Sequence, residues 1–388
     1  MSSTYKIVIA GDILPSTNNV LSYIQGDSVA LFDGTIQQLF NKADFSIVNL
    51  EGPITNANKK QNKVGPVLKA PIDSVNGLKS LGVRCVALAN NHFTDYLQQG
   101  CVDTLNVLDT ANILHIGAGI NKYCINKSIS VILGEKKVCI YNVSETFFNL
   151  PSDISAGVNI YDEYLVCNDI KELKKNHDYL IIIYHGGSEM CPYPTPTTRR
   201  RFHRMADCGA DFITAQHTHC IGCEERYNNS YLLYGQGNFC LDHMKNPVTK
   251  RGLVTQICFT ANTIVIDHFI VKTLEGKVIV DKNQDFSAFQ ERSKEIQDES
   301  LAEEKYRDFI RNNEDLRNKY YRAYKGDFFG KKVLQRCSYR LLLHHIERQY
   351  GQTDLARIVF SLESDRMQED VLCLWKQLQE KKDERSKP

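Results

Sequence analysis

Gly209-Ala210-Asp211-Phe212-Ile213-Thr214-Ala215-Gln216-His217-Thr218-His219 reads as a short buried strand, Asp211 to Ala215, running straight into two histidines one residue apart. On an extended or tightly turning backbone, alternate residues face the same way. The spacing therefore predicts that His217 and His219 present their imidazoles to one point. Neutral imidazole is the commonest metal ligand among side chains. Two surface histidines would leave the same trace, so the pair decides nothing alone. Its weight comes from four other strand-like runs that also end in polar residues.

Tyr5 to Ala10 stops at Gly11-Asp12, and Phe45 to Leu50 at Glu51-Gly52-Pro53. Arg84 to Ala89 stops at Asn90-Asn91-His92, and Tyr179 to Tyr184 at His185-Gly186-Gly187. Helical spacings fall between them at Leu31–Asn41, Ile72–Leu81, Gln98–Ala111, Asp169–Lys175 and Thr197–Cys208. Ile113–Ile116 is a further strand, and Ser128–Leu133 with Lys137–Val143 reads as a hairpin around Gly134-Glu135. From Tyr231 the strands follow one another: Tyr231–Tyr234, Leu253–Phe259, Thr263–Val271 and Lys277–Val280. Strands alternating with helices, then strands in succession, predict a layered α/β sandwich rather than one doubly wound sheet.

The chain has 388 residues, 42% hydrophobic, with 19 Tyr and 17 Phe, enough for a large core. A formal net charge of +1 gives no global pull toward nucleic acid or an anionic membrane. No run approaches the ~18 apolar residues of a membrane span, and Tyr5–Ala10 is too short for the core of an export signal. The expectation is a cytoplasmic protein with no membrane span, whose 13 cysteines are reduced thiols. Cys220-Ile221-Gly222-Cys223 lacks a second C-x-x-C at zinc-finger spacing and reads as two ordinary thiols. Beyond Asp285 charge density rises and strand-like runs become scarce. That break divides the chain into 1–285, carrying the site, and 286–388, a helical C-terminal appendage with helical spacings at Glu303–Tyr324, Lys331–Tyr350 and Met367–Lys381. The appendage would pack on the core, make a homodimer or bind a partner protein.

Sites in open α/β sheets form beyond the carboxyl ends of the strands. The five endings offer Asp12, Glu51, Asn91 with His92, His185, and His217 with His219. Each has a bland reading, a turn Asp at Gly11-Asp12 for example; five together point to one crevice. Mixed oxygen and nitrogen donors suit a borderline-to-hard divalent ion such as Mn²⁺, Fe²⁺, Zn²⁺ or Ca²⁺. His92, beside Asn91, is placed as general acid for a leaving group with Asp95 to hold it; the pair also reads as a buried histidine with a satisfied partner. Lys69 and the run Arg199-Arg200-Arg201 are candidates to hold an anionic or peptide-like substrate, the arginines equally a solvated helix face. Glu189 and Asn238 stand near the ligand loops, as substrate contacts, supports for the ligands, or cap and turn residues.

Six stretches occur in order: Gly11-Asp12, Asn49-Leu50-Glu51-Gly52-Pro53-Ile54-Thr55, Leu88 to Tyr96, His185-Gly186-Gly187-Ser188-Glu189, Gly209-Ala210-Asp211 with His217-Thr218-His219, and Tyr234-Gly235-Gln236-Gly237-Asn238-Phe239. Together they resemble the CapA family, the poly-γ-glutamate and capsule biosynthesis proteins of the calcineurin-like metallophosphoesterase superfamily. The resemblance covers residues 5 to about 280. It implies a metallophosphatase-like four-layer sandwich, two stacked β-sheets flanked by helices. It also implies metal-binding roles for Asp12, Glu51, Asn91, His185, His217 and His219. Leu14 stands where the superfamily's D-x-H motif has a histidine, which predicts one tightly held ion and at best a weaker second. Thr218 replaces the proline of the family's H-P-H, which leaves both imidazoles available. Three functions follow as alternatives. One is a metal-dependent hydrolase of a phosphoester or amide-type (γ-glutamyl) bond, linked to capsule or poly-γ-glutamate metabolism. The second is a non-catalytic assembly factor for such a polymer. The third is a metal-assisted proton-transfer enzyme on a peptide-like substrate.

Overall fold

A computed structural model describes residues 4–63, 65–146, 149–241, 244, 246–260 and 263–313. Two sheets make up its centre. In the first, the parallel strands Tyr5–Ile13, Phe45–Leu50, Cys85–Ala87 and Leu114–Ile116 lie side by side. The antiparallel run Arg251–Phe259, Ile264–Leu274 and Lys277–Val280 extends the other edge. In the second sheet the order is Glu224–Tyr227, Ser230–Leu233, Phe212–Gln216, Tyr179–His185, Lys136–Ser144, Ser128–Leu133.

Strand alternation builds the layers. Ile7, Ile9 and Ile47 meet Ile140, Ile181 and Ile183 in one apolar cluster between the sheets. The intervening residues face outward. Val8, Ala10 and Val48 pack under the helices Gly34–Asn41, Val75–Leu81 and Leu97–Thr110. Leu180, Ile182 and Tyr184 pack under Glu163–Lys174 and Pro196–Asp207. Helix, sheet, sheet, helix is the expected four-layer order. Because both faces of each sheet are covered, central strands such as Phe45–Leu50 and Phe212–Gln216 are buried at every position, and their apolar residues do not simply alternate with exposed polar ones.

Two differences from the sequence reading have local causes. The helix expected from Asp169 begins at Glu163, because the Asp162 side chain accepts from the Leu165 N–H (2.9 Å) and caps it there. The boundary expected at 285/286 falls inside a compact unit that runs from Met1 to Arg307. Helix Ser287–Glu295 drops Phe289 into the inter-sheet core. Its Arg292 donates to the carbonyls of Ile221 (3.0 Å) and Gly222 (2.8 Å). A charged composition hides such single apolar anchors. The remaining unit, from Asp308 on, is described only to Asn313, so Lys331–Tyr350, Met367–Lys381 and the second half of Glu303–Tyr324 lie outside the described residues. Among the described residues no helix is long and apolar enough to cross a membrane.

Candidate metal centre

The carboxyl ends of both sheets converge. Asp12 sits near the end of its strand, in register with Asn49 on one side and Asn238 on the other. Gly11 permits this approach, since a Cβ there would run into the Gly237 carbonyl. Asn49 Nδ2 donates to Asp12 Oδ1 (2.7 Å) and lies 3.4 Å from His185 Nδ1. His185 closes its own strand, opposite Gln216. Its Nε2 lies 2.9 Å from Asn91 Oδ1. His219 Nδ1 lies 2.8 Å from Asn238 Oδ1 and 3.3 Å from Asp12 Oδ2.

The His217 and His219 rings lie side by side, centroids 5.7 Å apart, but not by strand alternation. The strand ends at Gln216, and both histidines take left-handed backbone, φ 85° and 54°. Such conformations cost on the order of 1–3 kcal/mol each outside glycine and gather at functional sites. The His217 N–H donates to Asp12 Oδ2 (3.2 Å), which ties the turn to the first sheet.

The donor atoms form two overlapping triads. One atom each from Asp12, Glu51 and His219 lie within 4.8 Å of one another, and so do atoms from Glu51, His185 and His217. Glu51 belongs to both. It is fully buried, and neither of its carboxylate oxygens accepts a hydrogen bond. Burial, and then the Asp12 carboxylate, hold its carboxyl well above the usual range. Burial and the neighbouring imidazoles hold His185 well below its ordinary value and bring His217 down to about 4. Burial pulls His219 the same way, but the Glu51 and Asp12 carboxylates overcome it and hold it up at about 10. Carboxylate thus faces carboxylate and imidazole faces imidazole, all out of water. Such a set is costly by itself and fits a divalent cation between the groups.

Beside the triads, His92 Nδ1 lies 2.7 Å from Asp95 Oδ2. Burial lowers the His92 imidazole, against the pull of Asp95. A charge on His92 lowers His185 and His217 and is opposed by His219, so His92 lies within electrostatic reach of the cluster. Glu189 is within the same reach, its charge raising both Glu51 and His217. Asn238 holds His219. Lys69 lies apart: its Nζ donates to the Ala57 carbonyl (2.6 Å) and covers the Tyr96 ring at 4.7 Å. Arg199 is on the outer helix, paired with Glu225 (2.9 Å), and Arg201 pairs with Glu145 (2.8 Å). Leu14 is buried in the first outer core.

Sequence reasoning missed Asn49 as a bridge between Asp12 and His185, and Lys63, whose side chain is 3% exposed and pairs with Asp95. Asn49 stood two residues before Glu51, on the same strand face. Lys63 gave no signal inside a polar loop.

Residues 6–243 match the family described as bacterial capsule synthesis protein PGA_cap. The chain is 30% identical to the PGA biosynthesis protein CapA of Bacillus subtilis over 247 residues, 57% of this chain and 63% of that one. It is 24% identical to the capsule biosynthesis protein CapA of Bacillus anthracis over 252 residues, 62% of this chain and 61% of that one. The match thus spans less than two thirds of either relative. A crystal structure of a novel phosphatase of Mycoplasma pneumoniae aligns with a TM-score of 0.45 at 15% identity, over 74% of this chain and 100% of that one.

Proposed function

The chain belongs to the bacterial capsule synthesis protein PGA_cap family, and we propose that it is a metal-dependent hydrolase of a phosphoester or γ-glutamyl amide bond in capsule or poly-γ-glutamate metabolism. Glu51 carries the reading: a buried carboxylate without a hydrogen bond, shared by two histidine-containing triads. Asp12, Glu51 and His219 would hold one divalent ion, and Glu51, His185 and His217 a second, with Asn91 beside His185. When bound, such an ion supplies a Lewis acid toward a substrate oxygen and makes water acidic enough to be a nucleophile near neutral pH.

The chain's own groups do the rest. Asn49, Asn91 and Asn238 orient Asp12, His185 and His219 through neutral carboxamides. His92 Nδ1 is held by Asp95, and its Nε2 carries no hydrogen bond among the described residues, leaving that nitrogen to move a proton at the leaving group. Glu189 is assigned to the substrate side of the cluster. Lys69 and Arg199, engaged by the Ala57 carbonyl and by Glu225, are left out of the substrate assignment. A reducing, cytoplasmic setting is part of the proposal: Cys220 and Cys223 are free and buried, and burial pushes the Cys220 thiol up to about 12.

The test is a turnover screen of the full chain on aryl phosphomono- and phosphodiesters and on γ-glutamyl anilides and poly-γ-glutamate. It is run with Mn²⁺, Zn²⁺, Fe²⁺ or Ca²⁺ and again with a chelator. Turnover that the chelator abolishes, and that Glu51→Gln and His92→Ala remove, is the expected result. A metal-loaded protein that turns over none of these substrates would overturn it in favour of the assembly-factor reading.

A further inference from the structure

Lys63 lies in a loop, Thr55 to Leu68, whose other lysines at 59 and 60 are exposed. Its own side chain is 3% exposed. Sequestering a lysine this far costs both rotamer freedom and solvation unless its charge is met. Two acceptors meet it, the Asp95 carboxylate and the Asn91 carbonyl (3.1 Å), and His92 Nδ1 lies beside it at 3.2 Å. The loop fastens to the same residue elsewhere. The Leu68 N–H donates to Asp95 Oδ2 (2.7 Å), and the Gln61 N–H donates to the Asp95 carbonyl (2.8 Å). Asp95 is therefore the point at which the loop is pinned over the Asn90-Asn91-His92 turn.

We propose that Lys63 is a positioning residue that fixes His92 in the Nδ1–H tautomer and, through the Asn91 carbonyl, aims the Asn91 side chain at His185. The inference deepens the hydrolase reading and rests on it for the role of His92. Asp95 Oδ2 takes the Nδ1–H, while Lys63 occupies Asp95 Oδ1 and the Asn91 carbonyl, so the carboxylate cannot rotate away from the ring. With Nδ1 bound, Nε2 is the nitrogen left for the substrate. The alternative tautomer would set the Nδ1 lone pair against the carboxylate at 2.7 Å. Lys63 touches neither triad: its contacts stop at the second layer, where supports are commonly worth 10–100-fold in affinity or activity.

The experiment uses full-length protein labelled with ¹⁵N-histidine, the His92 resonances being assigned with His92→Asn. Two-bond ¹H–¹⁵N spectra report the tautomer without any substrate. Wild type is expected to show Nδ1–H alone at His92. Lys63→Met, which keeps the length of the side chain and drops its charge, is expected to give a mixture with the Nε2–H form above about a tenth of the population. Lys63→Arg should restore the single form. On whichever substrate wild type turns over, Lys63→Met should lower kcat by about 10–100-fold at little-changed KM under saturating metal. An Nε2–H tautomer in wild type would overturn the proposal even if no variant folds. So would Lys63→Met with an unmixed Nδ1–H form. Absence of turnover in wild type would sink the hydrolase reading and leave the tautomer result to judge Lys63 by itself.

Discussion

Replacing Glu51 by Gln should reverse its sign with metal. In chelator the wild-type carboxylate lies buried without a hydrogen bond, and burial with the opposing Asp12 carboxylate outweighs the attraction of His219. Gln keeps the shape and removes the charge. Relief of a buried unsatisfied group is worth about 1–3 kcal/mol, and the amide hydrogens that Gln must place keep the gain at the low end. At about 2–4 °C per kcal/mol, the variant should melt a few degrees above wild type in chelator. With free metal at 100 times Kd, wild type gains about 2.7 kcal/mol per ion. The variant has lost the donor shared by both triads and should gain little, so the order of the two melting temperatures inverts. Differential scanning fluorimetry at pH 7.5, with chelator and then with Mn²⁺ or Zn²⁺, reads both arms, and elemental analysis reads metal content. A variant that melts below wild type in chelator and binds the same amount of metal would refute the reasoning.

Three further outcomes follow. His217→Ala and His219→Ala should each lower metal content by elemental analysis, with destabilisation that appears only in metal-containing buffer, because the ion stabilises only the native state. Asn238→Ala leaves every direct donor in place but releases His219, and should weaken metal binding by about 10–100-fold in competition with a chromophoric chelator. Glu225 tests the scaffold: burial raises its carboxyl, but hydrogen bonds from His203, Arg199 and Tyr234 outweigh that and hold it down at about 2, against 4.5 ordinarily. A depressed carboxylate stabilises the fold at neutral pH and loses that contribution as pH falls from about 4.5 toward 2. Arg199→Met removes two of those hydrogen bonds, and should cost about 1–3 kcal/mol at pH 7 and move acid unfolding, followed by circular dichroism, to higher pH.

The layers were legible because the central strands are buried on both faces and read as unbroken apolar runs, Tyr179 to Tyr184 most plainly. The polar groups that gather at the candidate centre were legible because each follows such a run directly, as Asp12, His185 and His217 do. Less legible were the short pieces whose identity is tertiary. Asn238–Cys240 is three residues long and is a strand only because Asp12 and Ile13 lie beside it. Glu224–Tyr227 reads as a charged turn and gains its strand character by pairing with Ser230–Leu233. The turn conformation of His217 and His219 was also hidden, since nothing in H-T-H marks positive φ. Lys63 was illegible for the same reason: its burial depends on Asp95, more than thirty residues away in the chain.

The choice of carboxamides around the ligands bears on how many ions the centre holds. Asn49, Asn91 and Asn238 occupy places where a carboxylate would also orient an imidazole, as Asp95 does for His92. Using amides keeps the negative charge inside the two triads to Asp12 and Glu51. One divalent ion would then balance the two carboxylates, and a second would leave an excess of positive charge in a buried cleft that Glu189 only partly offsets. Low dielectric makes that excess strong toward an anion. A phosphoester or an acidic γ-glutamyl chain would therefore gain far more affinity from the doubly loaded protein than from the singly loaded one, while a neutral amide would not. Titrating Mn²⁺ or Zn²⁺ into chelated protein and measuring inhibition or binding by inorganic phosphate at each stoichiometry separates the cases. Phosphate affinity should rise steeply only after the first equivalent. Equal affinity at one and at two equivalents would show that the second triad does not take up an ion, in keeping with Leu14 where a further histidine would stand.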